Sequence, residues 1–426
     1  MDQAAALDVR DDVKVLSLIS TGHFVSHFYM LSLPALFIFL NQDLGISYTL
    51  LGAMLSARYL ATGATQLPAG FLVDRYGARA ILLTGMFLMV TAFALMAFAS
   101  SYWLLLVLVI IGGIGDAVFH PADYAILNGS VSEGRMARAF SVHTFSGHLG
   151  FAAAPAAITL MATLWDWRLA LLVTAGLGYA ILALLIIQSS SLKDDTVKPK
   201  RHKRAGPGIE GAGQVRKDTF GDHARLLLSR PVLVLFAFFA MSSLAGNGLH
   251  SFSIPALNAL HGTSAVDAGF AIGAYMLVSS LAVLAGGWIS DRIRRQDHFA
   301  AGAYALSIVA VLLIAFFSLH YVLLVLFFGF AGFCHGVIRP ARDMMVREVT
   351  PEGSSGKVFG FIFTGQNVGG GIAPLILGTV MDTLPPQWIF FASIGFMALC
   401  IVTILLPRGP MTKGAYRTAE GQAPGA

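Results

Sequence analysis

Residues 102–129 read YWLLLVLVIIGGIGDAVFHPADYAILNG. A helix crossing a bilayer needs roughly 20 mostly apolar residues, and this stretch is long enough. It also carries Asp116, His120 and Asp123. Ionisable groups inside a membrane are costly, so they are functional candidates. Eleven further stretches of membrane length lie around it, near 14–40, 48–71, 80–100, 137–163, 167–189, 231–260, 265–290, 298–318, 321–347, 356–382 and 387–407. The plan is an all-α integral membrane protein of twelve transmembrane helices in two six-helix halves. The halves are expected over 1–189 and 231–407, joined by a polar linker over 190–230 and followed by a tail over 408–426.

Composition agrees. Of 426 residues, 56% are hydrophobic and 12% charged, where a soluble domain carries about a quarter charged residues. The mean hydropathy is +0.73. Cys334 and Cys400 both sit in apolar segments and offer no zinc spacing or disulfide framework. The net charge of +5 is not read as nucleic-acid binding, because the basic residues fall in short loops. With the amino terminus inside, one set of loops holds Arg75, Arg79, Arg135, Arg138, Arg292, Arg294, Arg295 and Lys357, and the linker holds Lys198, Lys200, Arg201, Lys203, Arg204, Arg216 and Lys217. The opposite loops hold little beyond Arg168. Basic loops stay on the cytoplasmic side, so both termini and the linker are expected there, in a plasma (inner) membrane. The acidic start, Met1 to Asp12, lacks the basic end and apolar core of a signal peptide.

The two halves repeat. Ser32, Pro34, Ala35 and Leu36 recur as Ser253, Pro255, Ala256 and Leu257; Gly70, Asp74 and Arg75 recur as Gly287, Asp291 and Arg292. Pro121 and Ala122 recur as Pro340 and Ala341, Glu133 and Gly134 as Glu352 and Gly353, and Phe140, Ala154 and Pro155 as Phe359, Ala373 and Pro374. Parallel repeats are a transporter design, with the substrate site between the halves near the midplane.

The loop after the second span, Gly70-Phe-Leu-Val-Asp74-Arg75-Tyr-Gly77-Ala78-Arg79, resembles the signature loop G-x-L-x-D-R-x-G-R-K of the major facilitator superfamily. Ala78 departs from it, and in the second copy Arg294 replaces the glycine. Phe119-His120-Pro121 with the histidines of span one is similar to the fosmidomycin-resistance group of exporters. The resemblance implies alternating access, with spans one, four, seven and ten lining a central cavity. It also implies that Asp74 faces the start of span eleven, where exposed amides favour an anion. Gly70, Asp74, Arg75, Gly77, Arg79, Asp291 and Arg292 would then form a gating latch; the plainer reading is charges that set topology.

Asp116, His120 and Asp123 are spaced four and three apart, as are His335, Arg339 and Arg342 in span ten, so each set is expected on one helical face. Two readings stand. Arg339 or Arg342 holds an anionic substrate group, which suits the planar guanidinium fork, while Asp116 or Asp123 with His120 carries a coupling proton. Alternatively, Asp123 and Arg342 pair across the halves as a gate. His23 and His27, four apart in span one, suit a proton carrier or a polar contact; a satisfied interior histidine is the plainer reading. They would need further ligands to hold a metal, and the sequence shows no tight cluster to supply them. Arg58 is too deep for a loop charge and must find an acid, a carbonyl or water. His143, Thr144, Ser146, His148, Thr364, Gln366 and Asn367 are polar enough to line the cavity.

No Walker loop is present, and Gly113-Ile114-Gly115 lies inside a span, so no ATP motor or dinucleotide site is read. No cofactor, metal, enzymatic activity or nucleic-acid partner is expected. The expected partners are the bilayer, protons and a small polar or anionic solute, handled by a monomer. Proton-linked uptake, proton-antiport drug export and a non-transporting sensor are the function classes left open.

Overall fold

The computed structural model describes residues 3–193, 225–351 and 354–406. Most of the linker, the tail over 408–426, and Glu352 and Gly353 of the repeat lie outside the described residues. Within them are fifteen α-helices and no strand. The first half contains α1 (Gln3–Ala35), α2 (Phe37–Leu44), α3 (Tyr48–Tyr76), α4 (Ala78–Met96), α5 (Tyr102–Asp116), α6 (Phe119–Ser130), α7 (Met136–Leu164) and α8 (Trp167–Ile187). The second contains α9 (Arg230–Ser251), α10 (Ser253–His261), α11 (Ala265–Ser290), α12 (Gln296–Phe316), α13 (Tyr321–Glu348), α14 (Ser355–Thr383) and α15 (Trp388–Leu405).

Nine helices are long and apolar enough to cross a membrane, and ten when the α1–α2 pair, bent by 47°, counts as one span. Adding α3 and α14 completes twelve units among the described residues. These two are less apolar because they face the space between the halves, with Thr62 and Gln66 on one and Gln366 and Asn367 on the other. Three expected spans are interrupted, at Leu36, at Ala117–Val118 and at Phe252. Pro121 and Pro255 sit in the first turn of the new segment, where a missing N–H costs nothing.

The repeat extends to capping chemistry. Gly45 and Gly262 end α2 and α10 in the left-handed region, at φ 64° and 66°. The amide of each donates to the carbonyl of Asn41 or Asn258. Those asparagines donate through Nδ2 to Ile46 and Thr263 carbonyls. Ser47 and Ser264 then cap α3 and α11.

The halves meet along α3 against α14 and along α7 against α11. Gly52, Gly63 and Gly70 lie on one face of α3, since 18 residues (70 − 52) make five turns of about 3.6. Gly378, Gly371 and Gly360 do the same on α14. A side chain at Gly52 would collide with the Pro374 backbone, and one at Gly378 with the Tyr48 backbone. Gly63, Gly70, Gly360 and Gly371 have nothing within 4 Å of where a Cβ would stand. The two faces are therefore zipped at the end far from the linker and parted toward the linker. On the other seam Gly269 packs on Pro155 and Thr159, and Gly273 on the Ala152 carbonyl. At the closed end the Asp382 carboxylate accepts the amides of Tyr48 (3.0 Å) and Thr49 (2.7 Å), joining the end of α14 to the start of α3. Arg168, the basic residue of the far loops, is neutralised by Asp43 at 2.6 Å.

Overpacking a close contact costs about 1–3 kcal/mol. Gly52→Val is expected to lower the unfolding temperature of the purified protein by several degrees, while Gly63→Val leaves it unchanged. Equal melting of both variants would show that the α3–α14 seam is not closed as described.

Candidate functional site

Between the halves lies a cavity of about 620 Å³, lined from the first half by His27, Asp116, His120 and His148, and from the second by His335, Arg339 and Arg342, among others. Its two walls have different chemistry.

On the second-half wall α13 is continuous, so the spacing of His335, Arg339 and Arg342 holds and all three reach the cavity. His335 is clamped: Tyr275 Oη lies 2.6 Å from its Nδ1 and Ser307 Oγ 3.3 Å from its Nε2. Arg342 donates to Asp343 Oδ1 and Gln366 Oε1, at 3.3 and 3.2 Å, and its guanidinium lies 4.2 Å over the Phe239 ring. Arg339 has no carboxylate partner among the described residues. It donates from Nη1 to His148 Nε2 at 3.1 Å, a bond between the two halves. Arginine only donates, so that bond requires His148 to be neutral with its Nε2 lone pair free.

The first-half wall departs from expectation. Asp116, His120 and Asp123 do not form one stripe, because the helix breaks at Ala117–Val118 and the register is lost. Asp116 closes α5 and reaches the cavity. It accepts Ser26 Oγ at 2.5 Å and Arg58 Nη2 at 3.3 Å. Arg58 thus finds the acid that its depth demands. His120 faces the cavity. Asp123 turns away from it, is 1% exposed, and lies 3.5 Å from both His23 Nδ1 and His143 Nε2. The expected Asp123–Arg342 pair is not formed here, since each residue has other neighbours.

His23 and His27 are adjacent, with ring centroids 4.2 Å apart, and His27 stacks on Phe151. The further ligands that sequence spacing did not reveal around His23 are supplied by the fold. Asp123 and His143 offer donor atoms that, with that of His23, all lie within 4.8 Å of one another. His27 is not one of the three. His148, Gln366 and Asn367 line the cavity as expected, while His143 is fully buried. Tyr275, Tyr304 and His250 also line it; nothing in their local sequence marks them.

The contact expected of the latch residues is not formed here. Asp74 and Arg75 are exposed, and Asp74 has no ion-pair partner among the described residues. Gly77 turns the chain at φ 89°. Arg79 donates to the Ser189 carbonyl at 3.2 Å. In the second copy Asp291 is exposed, and Arg292 donates to the Trp288 carbonyl and lies 3.8 Å over its ring.

Residues 19–254 and 240–424 match the family model of the Major Facilitator Superfamily. Multidrug resistance protein MdtH of Proteus mirabilis is 27% identical over 373 residues, 86% of this chain and 88% of that protein. The fosmidomycin resistance protein of Escherichia coli is 22% identical over 408 residues, 95% of each chain. Among solved structures the nucleoside transporter NupG superposes with a TM-score of 0.72 over 92% of this chain and 98% of its own, at 14% identity.

Removing one member of a buried ion pair costs about 3–5 kcal/mol. Asp116→Asn and Arg58→Met are each expected to destabilise the protein in thermal unfolding, and the double variant to recover part of the loss. Additive losses in the double-mutant cycle would show that the two residues do not stabilise one another.

Proposed function

The chain belongs to the major facilitator superfamily and is a multi-pass membrane transporter, and from that premise we propose that it carries a small organic anion together with a proton by alternating access. The observation that carries this reading is Arg339, a cation in the cavity with a neutral histidine of the opposite half as its partner and no acid among the described residues. Arg58 and Asp116 cancel each other, so the cavity retains the positive charge of Arg339 and, in part, of Arg342. Arginine forks match carboxylates and phosphates.

The same contact supplies a coupling device. A carboxylate or phosphate bound to Arg339 takes the Nη1 donor away from His148. His148 Nε2, released, accepts a proton and donates it in a hydrogen bond to the same anion. Proton and anion then favour one another, and such coupling is reciprocal. The His148–Arg339 bond bridges the halves, so breaking it also alters what holds them together. Asp116 is left as the balancing charge for Arg58, and Asp123 lies off the cavity wall.

The arginine-rich loops support placing the linker face in the cytoplasm, with both termini there and the protein in the plasma (inner) membrane. The cavity would then open inward in this conformation. The cavity is built within one chain, which supports function as a monomer. Likeness to the multidrug and fosmidomycin resistance proteins supports a second reading, export of the solute in exchange for protons.

Reconstituted into proteoliposomes holding a pH dye, the protein is expected to move protons when pooled organic anions are added. Arg339→Ala should reduce solute flux at least about tenfold, the scale of a lost charged hydrogen bond. His148→Gln should keep solute exchange but abolish the proton movement. Proton flux unaffected by either change would overturn the site assignment, and flux opposite in direction to the solute would select export. Gly360→Val, which meets nothing in the present state, is expected to leave melting unchanged yet stop turnover, because closing the linker face needs that surface; normal turnover would refute such closure.

A further inference from the structure

Behind the cavity wall, in the first half alone, three buried side chains from three helices converge: His23 of α1, Asp123 of α6 and His143 of α7, with relative exposures of 2%, 1% and 0%. Neither transport reading above uses them. Their donor atoms stand 3.5 Å apart along both His–Asp edges. That is longer than an N–H···O hydrogen bond of about 2.7–3.2 Å. It is close to the spacing of two donors on one tetrahedral zinc ion, roughly 3.3–3.5 Å for ligand bonds of about 2.0–2.2 Å. Among the described residues, His23 Nδ1, both Asp123 oxygens and both His143 nitrogens have no hydrogen-bond partner. A buried carboxylate without donors is unfavourable. A divalent cation satisfies all three groups at once.

The surroundings are shaped for this convergence. Gly147, one turn beyond His143, lets α7 approach α1 so closely that a side chain there would strike His23 and His27, at 2.6 Å. The His23 and His143 rings stack with centroids 4.0 Å apart, and turning apart to roughly 5 Å would let both ring lone pairs meet on one ion. His120 stands at the cavity edge with its ring 5.2 Å from that of His23; it is not among the three converging donors, so the fourth position is left to water.

We propose that His23, Asp123 and His143 form a resident site for a zinc-like divalent transition-metal ion, which ties α1, α6 and α7 together. Two imidazoles and one carboxylate suit zinc and its neighbours rather than calcium or magnesium, which prefer all-oxygen shells. The ion is not the cargo: the transport cavity carries Arg339 and Arg342, and their charge repels a dication.

The test uses the full-length protein, purified in detergent, stripped with a chelator and titrated with Zn²⁺ alone. One equivalent is expected to bind per chain and to raise the unfolding temperature. Asp123→Asn and His143→Gln should each weaken binding at least about tenfold and abolish the zinc-induced rise, while the surface change His298→Gln leaves both intact. Because either core variant can fail to fold, X-ray absorption at the zinc edge of the wild-type protein provides a second reading, expected to show two imidazoles with oxygen ligands. No saturable zinc binding by the wild-type protein, unchanged binding by the folded core variants, or a shell lacking imidazole would each overturn the proposal.

Discussion

A charge inside a lipid bilayer must be matched, because neither hydrocarbon nor a packed helix bundle solvates it. Most of this molecule's interior chemistry follows from how that demand is met. Arg58 is matched by Asp116, which also takes the Ser26 hydroxyl. Arg342 is matched more loosely, by Asp343, by Gln366 and by the face of Phe239. Arg339 has the poorest set, one imidazole nitrogen from the other half. A charge left this way is stable only beside water in an open cavity, and it rewards any anion that arrives. The graded matching of three arginines is the ground on which the proposal takes Arg58 as scaffold and Arg339 as binding surface.

The same economy governs how the halves meet. α3 and α14 run past each other on glycine faces, and the chemistry at the two ends of that pair is reciprocal. At the closed end the Asp382 carboxylate, at the end of α14, accepts the first amides of α3. At the open end Asp74 closes α3 and is exposed, facing the role that the signature loop assigns it at the start of α14. A carboxylate against a helix amino terminus is favourable by a few tenths to about 1 kcal/mol when exposed. That is enough to hold a gate and small enough to release it. Were the Asp74 contact to form when the open end closes, two weak contacts at opposite ends of one helix pair would suit a rocking pair of rigid halves better than any single strong lock would.

Much of this was legible in the residues. Span count and order follow from apolar length, and the span edges agree to within a few residues wherever the helix is unbroken. The α13 stripe could be read from spacing because α13 is continuous. The matching stripe in the first half could not, because periodicity assumes an unbroken helix, and the interruption at Ala117–Val118 sends Asp123 inward while Asp116 and His120 stay at the cavity. Depth alone said that Arg58 needs a partner, but not that Asp116 supplies it. His143 joins His23 only through the packing of α7 on α1, a contact with no local signature. The repeated Asn–Gly–Ser caps of α2–α3 and α10–α11 were present in the sequence and are understood only once their hydrogen bonds are seen.

The two halves repeat in fold and diverge in charge. Histidines and acids gather in the first, where Asp116, Asp123, His23, His27, His120 and His143 crowd the junction of α1, α5, α6 and α7. In the second the cavity-facing charges are Arg339 and Arg342. A duplicated helix pair relaxes the demand that each copy be self-sufficient, which is what the proposed division needs: one wall for cations, whether protons or a metal, and the other for an anion. Their chemistry meets where His148 accepts from Arg339. A contact that exists only while the imidazole is neutral and the guanidinium lacks an anion reports on both walls together, and it lies on the boundary along which the halves must move.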